Sequence, residues 1–210
     1  MDVTIIGTGK MARAIGRRLL AGGHRVTVLG KEAGDAEAVV SDLGAGDGST
    51  RAGRSGEAIT DDVVVLAVYY PDARAVVEQY GDGLAGKVVV DITNPVNESY
   101  DALVTPPDGS AAQEIAASAP GARVVKAFNT TFANTLGEGR VGDTPLDVFL
   151  AADDEEAKAT VSTLVEDGGL RPIDTGPLRR ARELEAAGLL HMSVQGSIGT
   201  GFGSALKILS

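Results

Sequence analysis

Cysteine is absent from all 210 residues. Its absence excludes disulfides, thiolate catalysis and Cys-ligated zinc or iron–sulfur centres. Histidine occurs only at His24 and His191, so a multi-histidine metal centre is excluded as well. Tryptophan is missing and aromatics total 4%. No apolar run approaches the roughly 20 residues of a membrane span, and no basic region precedes an apolar stretch at the start, which argues against a signal peptide. Basic residues are also scarce: 19 Lys and Arg against 29 Asp and Glu give a net charge of −10. Such a surface repels nucleic acid and anionic membranes. A phosphate ligand must therefore be held by local features acting against the global field. The expected setting is the cytoplasm.

What is abundant is glycine, 28 residues, well above the usual share of about 7%. Strand and helix signals alternate along the chain. Short apolar runs at 3–6, 25–29, 62–69, 87–92, 122–127, 147–151 and 171–174 read as strands, with a further short strand near 49–52 in the Gly-rich stretch 44–56. Helical patterning covers 10–21, 35–43, 71–80, 110–118, 153–167 and 178–190. The continuous run Val63 to Val68 fits a strand covered on both faces. This alternation predicts an α/β fold: a Rossmann-type, doubly wound, mostly parallel sheet with a small C-terminal helical segment. The expected division is a nucleotide-binding domain over 1–177 and a helical and Gly-rich segment over 178–210 that closes an acceptor site.

Gly7-Thr8-Gly9-Lys10-Met11-Ala12 is G-x-G-x-x-A between a strand and a helix. There the first glycine allows a tight turn and the second allows a pyrophosphate close to the backbone. The small Ala12 lets the helix pack, and helix N–H groups face the phosphates. NAD sites usually carry an acid at the end of the second strand. Here that end reads Val28-Leu29-Gly30-Lys31, which favours NADP, with Lys31 toward a 2′-phosphate, Thr8 adding a hydroxyl and Arg54 approaching from the next loop. Glu32, one position on, is the acid that a small shift brings to the ribose.

Ligands of open α/β sheets lie beyond the carboxyl ends of the strands. Tyr69-Tyr70-Pro71 follows the long buried strand and is placed to wall a nicotinamide. Asn94 before Pro95 offers donors and acceptors. Lys126-Ala127-Phe128-Asn129-Thr130-Thr131 is the densest polar cluster after a strand, and Asn129 and Thr131 are candidates to orient an acceptor. His24 reads as a surface residue, His191 as a core or interface residue, and Asp72 and Asp91 as isolated acids. No nucleophile–base pair stands out, as suits hydride transfer between two ring cofactors, which needs positioning above all. The tail 196–203 is too Gly-rich for a stable helix and reads as a loop over a second ligand.

The chain resembles the NADPH-dependent deazaflavin (coenzyme F-420) reductases. The resemblance is carried by the Gly7–Ala12 loop with Lys31, by Val124 to Thr130, by Gly169 to Leu178 and by Gly201-Phe202-Gly203 through Leu209. The 126–130 segment also resembles the reductase domain of the six-transmembrane metalloreductases. The family implies a Rossmann domain, a homodimer and direct hydride transfer from NADPH to a deazaflavin or a flavin. It implies a 2′-phosphate site at Thr8, Gly30 and Lys31, and a pyrophosphate site at Gly7, Gly9, Lys10 and Met11. It further implies a cofactor wall at Ala67, Val68 and Tyr69, with Asn129 to Thr131 and the tail facing the acceptor. The chain departs from the family's archaeal members, which carry Ser-Arg in place of Gly30-Lys31 and His in place of Asn129. Two other readings are an imine reductase of the pyrroline-5-carboxylate reductase type and a non-catalytic NADP(H) sensor.

Overall fold

The computed structural model describes residues 1–44 and 48–209; residues 45–47 of the expected Gly-rich stretch and Ser210 lie outside the described residues. The first half runs β1 (Asp2–Ile6), α1 (Lys10–Ala21), β2 (Arg25–Gly30), α2 (Ala33–Leu43), β3 (Thr50–Arg54), β4 (Val63–Leu66) and α3 (Tyr70–Tyr80). It continues through β5 (Val88–Asp91), α4 (Ala111–Ser118), β6 (Arg123–Lys126), α5 (Ala133–Glu138), β7 (Arg140–Val141) and β8 (Thr144–Pro145). The last elements are β9 (Asp147–Ala152), α6 (Glu155–Asp167), β10 (Arg171–Asp174), α7 (Ala181–Ser193) and α8 (Gln195–Ile198).

Eight strands form one sheet in the order β10-β9-β6-β5-β4-β1-β2-β3, and β7 pairs with β8 as a separate hairpin. β1 lies between β2 and β4, parallel to both, so the winding reverses at the β1–β4 seam. The sheet is parallel from β3 to β6; β9 then pairs antiparallel with β6, and β10 parallel with β9. The fold is the doubly wound, mostly parallel α/β sheet that the alternation predicts. Crevices for ligands open at such a reversal.

Alternation along each strand explains why both faces are covered. Val3, Ile5, Val63, Val65, Val88 and Val90 face one core, filled by Ala12, Ile15 and Leu19 of α1, Val39 of α2 and Val161 of α6. Ile6, Val64, Leu66 and Val89 face the other, filled by Ala73 and Val77 of α3, Ala112 and Ile115 of α4 and Ala181 of α7. Period-2 side chains on strands and one apolar stripe per helix are all this requires. Helix α6 begins with an Asp154 side chain accepting the Ala157 N–H, and α4 with Ser110 accepting from Gln113. No helix among the described residues is long and apolar enough to cross a membrane.

Several expectations are corrected. His24 is buried: the Met1 nitrogen lies 3.1 Å from its Nδ1 and the Asp167 carboxylate 3.2 Å from its Nε2. The helix-strand turn that carries it folds under the end of α6, and that burial lowers its pKa. The helix expected over 178–190 is a single 3-10 turn over Leu178–Arg180 followed by α7, which runs on to Ser193. Within the tail, Gly196 lies in the one-turn helix α8, closed by Gly199 at φ +65°. Beyond it the chain returns to the sheet without further helix.

Asp147 ties this returning tail to the edge of the sheet. Its buried carboxylate accepts hydrogen bonds from Arg171, from Lys207 and from the Ile208 N–H. Burial alone would raise its pKa, but these donors outweigh it and hold the carboxyl at about 2. The stabilisation is therefore complete above the ordinary carboxylate range and disappears as pH falls toward 2. Denaturant titrations across this acid range should show wild type losing about 2 kcal/mol through this one group. Asp147→Asn should lower stability at neutral pH and flatten that acid slope; an unchanged slope would contradict the assignment.

Candidate functional site

The carboxyl ends of β1, β2, β4, β5 and β6 bring the glycine loop, Lys31, Tyr69, Asn94 and Asn129 to one edge of the sheet. Gly7 leaves β1 at φ +126°, and its N–H donates to the Leu29 carbonyl at 2.9 Å. A Cβ on Gly7 would lie 2.1 Å from the Ala67 carbonyl oxygen, so only glycine fits the β1–β4 seam. Gly9 differs. Its extended backbone (φ −76°, ψ −176°) suits any residue, and a Cβ there would meet nothing within 4 Å. Protein packing does not require glycine at this position, and the space a side chain would fill is open.

Arg13 supports the loop from α1. Its Nε donates to Asp42 at 2.7 Å, and its Nη1 donates to the carbonyls of Thr8 and Gly9. In a trans peptide the N–H opposes the C=O. Drawing these two carbonyls toward Arg13 therefore turns the N–H groups of Gly9 and Lys10 the other way. With the N–H groups of the first turn of α1 they have the polarity that suits an anion.

At the end of β2, a Cβ on Gly30 would lie 2.7 Å from the Glu32 carbonyl and 3.0 Å from the Thr8 methyl. A serine at this position therefore cannot be accommodated without a backbone shift. Lys31 is exposed, with its Nζ 3.7 Å from Asp72 on α3. Asp72 is thus not isolated. Glu32 stands just beyond the strand, and its carboxylate meets Arg54 of β3 at 3.0 Å. Arg54 also donates from Nε to the Lys31 carbonyl at 3.3 Å.

On the other side of the seam, Ala67 and Val68 continue β4, and Tyr69 is 80% exposed. Asn94 and Asn129 are brought together. The Asn94 amide donates to the Asn129 carbonyl at 2.8 Å, and the Asn129 amide donates to Asn94 Oδ1 at 3.0 Å and to the Leu184 carbonyl at 2.8 Å. Helix α7 comes this close through Gly188, where a Cβ would lie 2.6 Å from Asn94 Oδ1. Thr131 donates to the Phe128 carbonyl at 2.7 Å, closing a turn in which Phe128 takes φ +60°. Buried oxygens of Asn129 (Oδ1), Thr93 (Oγ1) and Thr130 (Oγ1) have no hydrogen-bond partner among the described residues.

Below this floor lies a cluster that the sequence does not disclose. Lys126 is fully buried and donates to Asp91 at 2.8 Å, Glu185 at 2.8 Å and the Thr93 carbonyl at 2.6 Å. Glu185 also accepts the first N–H groups of α4, from Ala111 and Ala112. Burial raises the Glu185 pKa, against the pull of Lys126. Asp91 is thereby corrected from an isolated strand-end acid to a structural ion partner. A lysine ending an otherwise apolar strand is the one signal in the chain; Glu185 reads as an ordinary surface charge because its partners are 59 or more residues away. His191 is in the core, with Nδ1 3.1 Å from the Thr130 carbonyl and Nε2 2.8 Å from Ser204 Oγ. Burial lowers its pKa, and the hydrogen bond between its Nε2 and Ser204 Oγ moors the tail against the floor. Phe132 stacks on it at 4.2 Å, and Phe202 of the tail meets Phe132 edge-on at 5.0 Å. Tyr70 donates to Glu114 at 2.6 Å, and burial pushes its pKa up to about 12.

The two loop glycines give opposite expectations. Gly7→Ala should cost about 2–4 kcal/mol through the clash with Ala67 and the unfavourable φ. Gly9→Ala should stay within about 1 kcal/mol of wild type. Chemical unfolding midpoints decide; equal costs would contradict the distinction.

Residues 2–95 match the family described as NADP oxidoreductase coenzyme F420-dependent. The metalloreductase STEAP3 of Rattus norvegicus is 30% identical over 184 residues, 88% of this chain and 36% of that protein. The F420-dependent NADP reductase of Methanocaldococcus jannaschii is 33% identical over 130 residues, 60% of this chain and 58% of that protein. The chain thus spans only about a third of the first relative and under two thirds of the second. A crystal structure from Arthrobacter sp. FB24, described as a candidate F420-dependent NADP reductase, matches with TM-score 0.86 at 28% identity, covering 99% of both chains. A pyrroline-5-carboxylate reductase from Coxiella burnetii matches with TM-score 0.62 over 98% of this chain and 81% of that one; at 18% identity the likeness is of fold alone. Loop geometry, sequence relatives and fold agree: the chain is similar to the F420-dependent NADP reductases, and the similarity to the NADP oxidoreductase family model lies in its residues 2–95.

Proposed function

We propose that this chain binds NADP(H) and exchanges hydride with a deazaflavin or flavin acceptor. The observation that carries the reading is the loop at the β1–β4 seam. Gly7 is seated on Ala67, Gly9 leaves open space, and Arg13 turns the Gly9 and Lys10 N–H groups outward. In this reading Gly7, Thr8, Gly9, Lys10 and Met11 hold the pyrophosphate, and Thr8, Gly30 and Lys31 receive the 2′-phosphate. Ala67, Val68, Tyr69 and Asn94 border the nicotinamide. Bound dihydronicotinamide supplies the hydride; the protein supplies position and exclusion of water.

The proposed roles of Asn129 and Thr131 follow from their bonds. Both spend their donors inside the protein, on Asn94, Leu184 and Phe128. They orient an acceptor as positioning residues, by fixing the turn on which the ring rests. The segment 178–210, moored through Ser204 and Asp147, closes this side of the site. Its exposed Leu190, Ile198 and Leu209 suit a homodimer of this chain, working in the cytoplasm.

The test is to follow nicotinamide absorbance on mixing NADPH with a deazaflavin or a flavin. Oxidation should occur with one of them, and Lys31→Glu should raise the NADPH Kd at least about tenfold by replacing attraction with repulsion. NADPH binding without oxidation of either acceptor would favour the sensor reading, and turnover only with cyclic imines the imine reductase reading. No NADPH binding at all would overturn the nucleotide assignment.

A further inference from the structure

Lys31 is not the only cation at the adenosine end of the site. Arg54 closes β3, directly in register with Gly30 at the end of β2. Its guanidinium reaches across this strand pair, with Nη2 3.0 Å from Glu32 and Nε 3.3 Å from the Lys31 carbonyl. Its backbone is fixed: the Arg54 N–H donates to Glu57, and the neighbouring Ser55 N–H donates to the Gly30 carbonyl at 2.7 Å. Two cations and two acids therefore share this tip, as the pairs Lys31–Asp72 and Arg54–Glu32.

We propose that Arg54 and Lys31 together receive the 2′-phosphate of the adenosine ribose, and that the Arg54–Glu32 pair sets the preference between phosphorylated and unphosphorylated coenzyme. The inference rests on the dinucleotide reading above and adds what decides its specificity.

Three physical points support it. First, the Arg54 and Glu32 side chains are both mostly exposed, and exposed ion pairs are held weakly. A phosphate dianion offers the planar guanidinium two parallel hydrogen bonds and a larger charge, so exchange of partners is favourable. Second, Glu32 stands two residues past the end of β2, next to the position from which an acid in Rossmann sites receives a ribose 2′-hydroxyl. While Arg54 occupies its carboxylate, that role is suppressed. Third, the two outcomes exclude one another. With phosphate bound, Arg54 leaves Glu32, and the carboxylate must turn into solvent to avoid the like charge. Without phosphate, Glu32 is the group nearest to a free hydroxyl and Arg54 competes for it.

Purified full-length chain is titrated with NADPH and with NADH, in wild type, Arg54→Gln, Glu32→Gln and Lys31→Gln, with thermal midpoints taken alongside. The exposed side chains should leave the midpoints alike. Arg54→Gln should weaken NADPH about tenfold and tighten NADH, because Glu32 is released. Glu32→Gln should do the reverse, tightening NADPH and weakening NADH. Lys31→Gln should weaken NADPH without tightening NADH, since Lys31 does not hold Glu32. The proposal is overturned if Arg54→Gln leaves the NADPH-to-NADH affinity ratio unchanged, or weakens both coenzymes equally. Failure of the underlying dinucleotide reading looks different: wild type would then bind neither coenzyme, and this proposal would fall with it.

Discussion

The tightest steric constraint in the glycine loop is at Gly7, where a Cβ would lie 2.1 Å from the Ala67 carbonyl oxygen across the β1–β4 seam. Parallel strands β1 and β4 run side by side here while their connections leave to opposite faces of the sheet. That divergence opens the crevice, and the missing side chain at Gly7 lets the two strand ends close beneath it. Lengthen this contact by one methyl group and α1 no longer starts where its N–H groups face the crevice. The geometry of the glycine loop is thus a consequence of sheet topology and of a single residue without a Cβ, and the charged groups around it refine what the topology offers.

A second constraint sits deeper. Lys126 joins β5, β6 and α7 through Asp91, Thr93 and Glu185, and Glu185 in turn occupies the start of α4. Buried ion groups of this kind add little net stability compared with apolar packing, because desolvation cancels most of the attraction. What they provide is an arrangement in which each donor has one set of acceptors. Lys126 leads directly into the turn 127–131, so the floor that carries Asn129 and Thr131 is fixed from beneath by charge and from the side by Gly188.

Much of this was legible in the sequence, for identifiable reasons. The strands β1, β4 and β5 are short runs of Val and Ile bounded by polar or glycine residues, and burial on both faces leaves no other reading. The loop 7–12 was legible because its glycines fall between a strand and a helix. Less was legible where partners are distant. The antiparallel direction of β9 is set by its pairing with β6, and nothing in Asp147–Ala152 encodes it. Helix α5 is six residues long and built from weak formers such as Asn134, Thr135 and Gly137, so no period appears. His24 looked like a surface residue because its turn is polar, while its burial comes from Asp167 far along the chain. Glu185 and Gly188 look ordinary within α7 and gain meaning only where the helix meets β5 and β6.

The central claim is that bare backbone at the end of β1 grips a diphosphate while cations at the ends of β2 and β3 grip a second phosphoryl group. A crystal structure of the chain grown with NADPH tests it most directly. The account requires pyrophosphate oxygens within hydrogen-bonding distance of the Gly9 and Lys10 N–H groups, and the 2′-phosphate between Lys31 and Arg54. Coenzyme bound elsewhere, or an adenosine end turned away from β2, would contradict it.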